Sequence, residues 1–274
     1  MMQKKRLHMS RQTVVLIFIA TLTSHLREVT IIYASVLLHE MAHLFVCKKK
    51  NIPTEYMAIY PYGMELRLKE LTAPKEQISI SFAGPLVNFL LFALGLLIMQ
   101  FGIKSRYMSF FVSANLVLCV FNLIPCVPLD GSEIIRSLIS SKKGIIFSYT
   151  AINRISRGIS FFILICACLL AIYGENISLL IVLVIIKQGM KAKRGEQLLA
   201  AKKIINGEIK SKIKPKFFYS KQGQSAASFI KYISFDYTII VLRQSHPPLT
   251  QDRLISAVKK YPAISIDKIN QKKL

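Results

Sequence analysis

Long apolar stretches separated by short, basic connections set the pattern of this chain. Candidate membrane spans fall at residues 13–26, 29–47, 78–101, 109–124, 155–173 and 177–190. A full crossing needs about 20 apolar residues. The second and third spans supply them; the first, fourth and last are short and predict tilted helices or a locally thinned bilayer. Between the second and third spans, after the turn Tyr60-Pro61-Tyr62-Gly63, Met64, Leu66 and Leu68 alternate with Glu65, Arg67 and Lys69. That two-residue period predicts a strand.

Beyond Lys187 the pattern changes. Residues 225–232 predict a helix, 237–242 a buried strand, and 252–261 a helix with Leu254, Ile255 and Val258 inward. Pro247-Pro248 breaks the chain between the last two. The expected fold class is an α-helical polytopic membrane protein with about six transmembrane helices and a short membrane-associated strand or hairpin. A small C-terminal α/β cytosolic domain follows, with the division placed at 1–190 and 191–274.

Composition supports a membrane protein. Of 274 residues, 53% are hydrophobic and 19% charged, against about 25% charged in an ordinary soluble domain. With 12 Gly, 10 Pro and 5 Cys, the chain fits neither a collagen-like nor a disulfide-stapled protein. No cleavable signal is expected at the N-terminus, because no small-residue cleavage site follows the first apolar stretch.

The net charge of +23 is placed asymmetrically. Fifteen Lys and Arg lie before the first span, between the second and third, and from the fourth span to Arg157 in the first turn of the fifth; Arg27, Lys104 and Arg106 alone lie in the opposite connections. The positive-inside rule then puts both termini in the cytosol. The segment from Lys187 onward carries 19 basic and 5 acidic residues. Its linker (Lys187, Lys191, Lys193, Arg194, Lys202, Lys203) is expected against anionic lipid headgroups, at about 1 kcal/mol per charge. Direct nucleic-acid binding is not expected, since no recognition motif accompanies the charge.

All five cysteines, Cys47, Cys119, Cys126, Cys166 and Cys168, lie in or beside apolar spans with no CxxC pair, as small core residues do. Cys126 is the candidate for thiol reactivity. The second span, however, contains Leu38-His39-Glu40-Met41-Ala42-His43. One charge at the centre of a membrane helix costs about 2.5–3.5 kcal/mol, so three ionisable residues in one turn need a function. His39 and His43 are four apart, one above the other on one face, and both imidazoles can hold one metal ion. Glu40 beside them is placed to take a proton from a water held there.

A catalytic zinc takes three protein ligands and leaves a fourth place open. The acidic residue that stands out for the third is Asp130, in Asn122-Leu-Ile-Pro125-Cys-Val-Pro128-Leu-Asp130-Gly131 at the end of the fourth span. Pro125 and Pro128 break the helix, Gly131 frees the backbone after the carboxylate, and unwound backbone at membrane depth must line a cavity or be buried in protein. The alternative is an interfacial turn in which Asp130 caps a helix over 132–140.

These residues resemble the site-2 proteases, the intramembrane zinc metalloproteases. The resemblance rests on His39-Glu40-x-x-His43, on Asn122-x-x-Pro125-x-x-Pro128-Leu-Asp130-Gly131, and on Ala83-Gly84-Pro85-Leu86-Val87-Asn88 opening the third span. It implies His39, His43 and Asp130 as ligands of one catalytic Zn2+, Glu40 as general base, and Asn122 near substrate or oxyanion, with Pro125 and Pro128 shaping the substrate site. Met64 and Leu66 are expected on an exposed strand that adds a substrate strand by backbone pairing; the alternative is a strand paired only within its own hairpin.

Six spans and a short cytosolic tail are similar to the sporulation branch of that family. That branch implies regulated intramembrane proteolysis of a membrane-associated sigma-factor precursor, inhibitory membrane partner proteins, and a location in a bacterial cell membrane, the forespore outer membrane for a sporulation role. It also implies a CBS-like tail with ATP as a possible ligand. The alternative substrate is a membrane anti-sigma factor or a signal-peptide remnant. Other classes fit less well. A non-haem iron enzyme also uses two His and a carboxylate but has no use for Glu40; a zinc transporter would carry more polar residues along its helices. A pseudoprotease would lack one of the expected catalytic residues.

Overall fold

The computed structural model describes residues 7–9, 26–60, 63–68, 72–172, 178–206, 215–221, 223–243 and 248–269. The first expected span falls almost wholly outside them, and so do the Tyr60-Gly63 turn's central residues. The chain divides into two compact units: residues 1–124 with 129–131, and residues 125–128 with 132–274.

The first unit contains β1 (Leu7–Met9), α1 (Leu26–Lys49), β2 (Thr54–Tyr60), β3 (Gly63–Leu68), α2 (Pro74–Gln100) and α3 (Arg106–Asn122). The helices pack on one another, and β3 lies against α1. Ends are marked by local chemistry. Pro74 opens α2 where its missing N–H costs nothing. The Ser105 hydroxyl caps α3 by accepting from the Met108 N–H at 3.1 Å. A buried bond from Asn115 Nδ2 to Ser35 Oγ, 3.1 Å, ties α3 to α1. At Gly95 a Cβ would run into Val112, so the glycine lets α2 and α3 approach closely.

Both α1 and α2 are long and apolar enough to cross a membrane, and α3 is a shorter apolar helix. Only 28% of the apolar window of α1, and the same share of α2, is buried, with Phe45, Phe89, Leu90, Leu94, Val117 and Val120 facing outward. A soluble core helix would hide these; a lipid-facing one exposes them.

The small sheet has strand order β1-β2-β3, β1 parallel and β3 antiparallel to β2. Met64 stands opposite Ile59 and Leu66 opposite Met57. The expected strand is therefore there as β3. Its partner β2 is visible in retrospect as the apolar run Tyr56-Met57-Ala58-Ile59-Tyr60. Among the described residues β3 is an edge strand.

The second unit carries most of α4 (Asp130–Lys143), with α5 (Ile145–Ile172), α6 (Ser178–Ile205) and the tail elements β4 (Pro215–Tyr219), α7 (Ala227–Ile230), β5 (Thr238–Leu242), β6 (Leu249–Thr250) and α8 (Gln251–Lys260). The tail sheet runs β4-β5-β6, with β4 parallel and β6 antiparallel to β5. Phe229, Ile233, Ile239, Val241, Leu249 and Leu254 fill its core.

Three expectations change here. Residue 190 lies inside α6, so the basic segment after it is no loose linker but continuous helix to Ile205; its Lys, Arg, Ala, Leu and Gln are good helix formers. The helix expected over 225–232 shrinks to α7, because Ser225 bridges to Ser265 and the Ala226 N–H is taken by the Ile264 carbonyl at 2.9 Å. The strand β4 was not foreseen; its alternating exposure, with Phe217 and Tyr219 outward, gave only a five-residue signal.

The tail packs on the corner between α4 and α5. Gly144 there has φ +98°, and a Cβ would strike the backbone of Tyr232. Ile145, Tyr149 and Ile152 of α5, Ala200 and Ile204 of α6, and Ile233 of the tail are all buried. Gly144→Ala is therefore expected to lower stability by more than about 1 kcal/mol, read as an earlier denaturation midpoint of the tail in the full-length protein.

Candidate metal centre

His39 and His43 sit on successive turns of α1, and their rings meet edge to face with centroids 4.7 Å apart. Both are buried, as is Glu40 between them. Asp130 opens α4. Its Oδ2 lies 3.0 Å from His39 Nε2 and 3.3 Å from His43 Nε2. The three donor atoms fall within 4.8 Å of one another. Donors about 2.0–2.1 Å from a tetrahedral zinc stand about 3.3 Å apart, and the two carboxylate–imidazole separations match that spacing. Two imidazoles and one carboxylate, all presented from one side, are also the donor set of an open catalytic site.

The surrounding residues set the tautomers a metal needs. His43 Nδ1 is 2.6 Å from the Ile80 carbonyl. That acceptor fixes the proton on Nδ1 and leaves the Nε2 lone pair pointing at Asp130. Pro85, inside α2, removes the N–H that would bond the Ser81 carbonyl and loosens the turn in which Ile80 lies.

Asn88 plays the matching part for His39. Its side-chain amide is 3.1 Å from His39 Nδ1, and its Oδ1 is buried without a partner. Turning the amide over brings that orphaned oxygen onto Nδ1–H and frees Nε2 as a ligand, which satisfies both groups at once. The donor set, its spacing and this polar support all fit a divalent zinc ion.

Two glycines make the approach possible. A Cβ at Gly84 would overlap the His39 ring, so α2 can pass this close only with no side chain there. A Cβ at Gly131 would meet the backbone carbonyls of Leu123 and Ile124. Gly131 thus serves close packing of the turn that delivers Asp130, not a left-handed backbone.

The structure brings together His39, His43 and Asp130 of the expected residues, with Glu40 on the same turn of α1. Asp130 is the first residue of α4 and its carboxylate lies on the histidines, whereas the capping alternative had it ahead of a helix over 132–140. Asn122 ends α3 and donates to the Leu118 carbonyl of its own helix at 3.0 Å. Met64 and Leu66 lie on β3, the strand against α1. Pro125 and Pro128 belong to the second unit, in the break between α3 and α4. Cys126 is 1% exposed, which shields it from dissolved reagents. The supporting roles of Asn88, Gly84 and the Ile80 carbonyl were not legible as contacts, although Gly84 and Asn88 lie in the sequence segment singled out between the two motifs.

The support is testable without any substrate. Asn88→Ala and Gly84→Ala are each expected to weaken zinc binding by about 10–100-fold, measured by competition with a chromophoric chelator. Wild-type affinity in Asn88→Ala would remove Asn88 from the site.

Comparison with known proteins places this geometry. The profile of peptidase family M50 matches residues 28–105 and 98–167, more than half of the chain. The zinc metalloprotease MJ0392 of Methanocaldococcus jannaschii is 29% identical over 220 residues, which is 77% of this chain and 62% of that protein. The chain thus spans less than two thirds of that relative's length. Stage IV sporulation protein FB of Bacillus subtilis is 28% identical over 124 residues, 44% of this chain and 43% of that one. The solved site-2 protease from Methanocaldococcus jannaschii superposes with a TM-score of 0.57 at 24% identity, covering 70% of this chain and 92% of its own. That superposition speaks for the fold, and the profile match decides the rest: this chain belongs to peptidase family M50.

Proposed function

We propose that this chain is an intramembrane zinc metalloendopeptidase that hydrolyses a peptide bond in or near the membrane. The observation that carries the proposal is the convergence of His39 Nε2, His43 Nε2 and Asp130 Oδ2 beside a buried Glu40, on an apolar helix. Bound at these donors, a zinc ion supplies Lewis acidity, polarising the scissile carbonyl and making water a nucleophile near neutral pH.

The protein's own residues do the rest. Glu40 is three residues before His43 and so shares its side of α1. It accepts the proton of the attacking water and delivers it to the leaving amine nitrogen. Asn88 and the Ile80 carbonyl keep the imidazoles oriented. Asn122, at the end of α3, is the candidate for holding substrate or oxyanion, with Pro125 and Pro128 keeping the chain beyond it unwound.

A membrane helix hides its amides within itself, so a substrate must be extended to be cut. Among the described residues the outer edge of β3 carries no further strand, and Met64 and Leu66 lie on that strand. Pairing along that edge would hold the substrate open.

The finer reading follows the similarity to stage IV sporulation protein FB. The substrate is a membrane-associated sigma-factor precursor, the membrane part crosses the bilayer six times with both termini cytosolic, and inhibitory membrane proteins restrain it. The tail order β4-α7-β5-β6-α8 is compatible with half a CBS pair. The match to that relative covers less than half of either chain, and a membrane anti-sigma factor or signal-peptide remnant is the second substrate class.

Co-expression with a tagged sigma-factor precursor tests the reading. Glu40→Gln is expected to lose about 10²–10⁴-fold in cleavage rate while retaining zinc, and chelation should abolish wild-type cleavage. Zinc without cleavage in the wild type would move the assignment to the second substrate class. A wild type without zinc would overturn the reading. Leu66→Pro is expected to impair cleavage with zinc still bound; unchanged cleavage would remove β3 from substrate docking.

A further inference from the structure

A groove of about 540 Å³ opens between the N-terminal parts of α1 and α3, within the volume range of ligand sites. At 1.5 Å rise per residue, Glu28 in it stands about 16 Å along α1 from His39, so the groove is separate from the metal centre. Its polar lining is Glu28 of α1 with Arg106, Ser109 and Ser113 of α3; Val29, Ile32 and Phe110 supply apolar walls. Both helices start here, which puts the groove at headgroup level for apolar helices that enter a bilayer beyond it.

The Glu28 carboxylate is the unusual member of that lining. Its side chain is 16% exposed, and its Oε2 is buried without a hydrogen-bond partner among the described residues. Its Oε1 lies 3.6 Å from Arg106 Nη2, well beyond the roughly 2.7–2.9 Å of a charge-assisted bond. The guanidinium itself is 83% exposed and keeps N–H groups for a second anion. The neighbouring Arg27 is engaged elsewhere: its Nη1 donates to the Tyr107 hydroxyl at 3.2 Å, and the guanidinium lies 5.2 Å over that ring. An ionised carboxylate accepts on both oxygens, and leaving one buried and unmet is costly. The groove thus presents an unmet acceptor at Glu28 beside spare donors at Arg106.

That pair of charges selects the occupant. A bare cation would meet Arg106, and a bare anion would meet Glu28; a zwitterion with ammonium and phosphate side by side complements both. A primary ammonium brings three N–H donors, one for Glu28 Oε2 and others for the Ser109 and Ser113 hydroxyls, four residues apart on one face of α3. A trimethylated ammonium brings none. The same face of α3 runs on through Leu116, Val117 and Val120, all exposed, and an acyl chain can lie along that strip. We infer that the groove binds a phospholipid with a primary ammonium headgroup, its ammonium on Glu28 and its phosphate at Arg106. This site goes beyond the protease reading and does not rest on it.

The test uses full-length protein in detergent micelles, with lipid titrated in and bound lipid counted by native mass spectrometry. Dioleoyl phosphatidylethanolamine, its mono- and dimethylated forms and dioleoyl phosphatidylcholine remove the N–H donors in steps from a constant body. Affinity is expected to fall along that series, by about 10–100-fold from first to last. Glu28→Gln keeps the shape and removes the charge; it should weaken phosphatidylethanolamine by about 10-fold or more and leave phosphatidylcholine within about 2-fold. Lys104 is an exposed cation at the same end, outside the groove, and Lys104→Gln should keep affinity within about 2-fold. O-phosphoethanolamine, the head without its chains, should bind at least about 10-fold more weakly than the lipid.

Equal retention across the methylation series would overturn the proposal, as would equal phosphatidylethanolamine affinity in wild type and Glu28→Gln. Equal losses in Glu28→Gln and Lys104→Gln would overturn it too, since the effect would then be one of general surface charge. Free O-phosphoethanolamine binding as tightly as the lipid would replace the lipid with a soluble ligand. The lipid series on wild-type protein carries the test if Glu28→Gln does not express. Every one of these failures leaves the protease reading intact, because Glu28 has no part in the metal centre.

Discussion

Two imidazoles and two carboxylates enclosed among apolar helices are costly unless they serve one another, because an uncompensated charge in such surroundings loses several kcal/mol of hydration. Nearly every unusual feature of the first unit follows from meeting that demand. His39 and His43 stack on one face of α1. Asp130 comes back across the chain to both of them at 3.0 and 3.3 Å. Asn88 and the Ile80 carbonyl take the ring nitrogens that point away.

Backbone close approach is the means. Gly84 lets α2 press on the His39 ring, Gly131 lets the turn after α3 fold tightly on itself, and Gly95 brings α2 to α3. Each is a place where even one methyl group would push an element outward. Pro85 contributes differently, by removing the N–H that would bond the Ser81 carbonyl, next to the Ile80 carbonyl that meets His43. The site is rigid because its ligands stand on helices and its second layer stands on their packing, the arrangement that keeps a reactive geometry accurate.

The second unit is organised around a corner rather than a pocket. Where α4 ends and α5 begins, the tail supplies partners for the Lys142 carbonyl and for the Ile145 and Phe147 N–H groups, while the Ser140 carbonyl accepts from both the Gly144 N–H and the Ser234 hydroxyl. The continuity of α6 to Ile205 makes the basic stretch beyond Lys187 a stiff connection rather than a tether.

Much of this was legible in the order of residues. Apolar length separates a lipid-facing helix from a soluble one, and α1, α2 and α3 lie where hydropathy placed them to within a few residues. The His39-Glu40-x-x-His43 spacing fixes two ligands and a base because helix periodicity alone puts them on one face. Asp130 stood out as a carboxylate in an apolar turn, and so as the candidate third ligand beside the capping alternative. What tertiary structure decided is everything that depends on two segments meeting. The partners of the histidines, the overlap that demands Gly84 and the tail closing the α4–α5 corner join residues 37 to 95 positions apart along the chain, and the strand β2 beside β3 is more loosely patterned than a helix. Periodicity reports which face a residue takes within its own element. Which neighbour that face will meet is set by packing, and packing has no local signature in sequence.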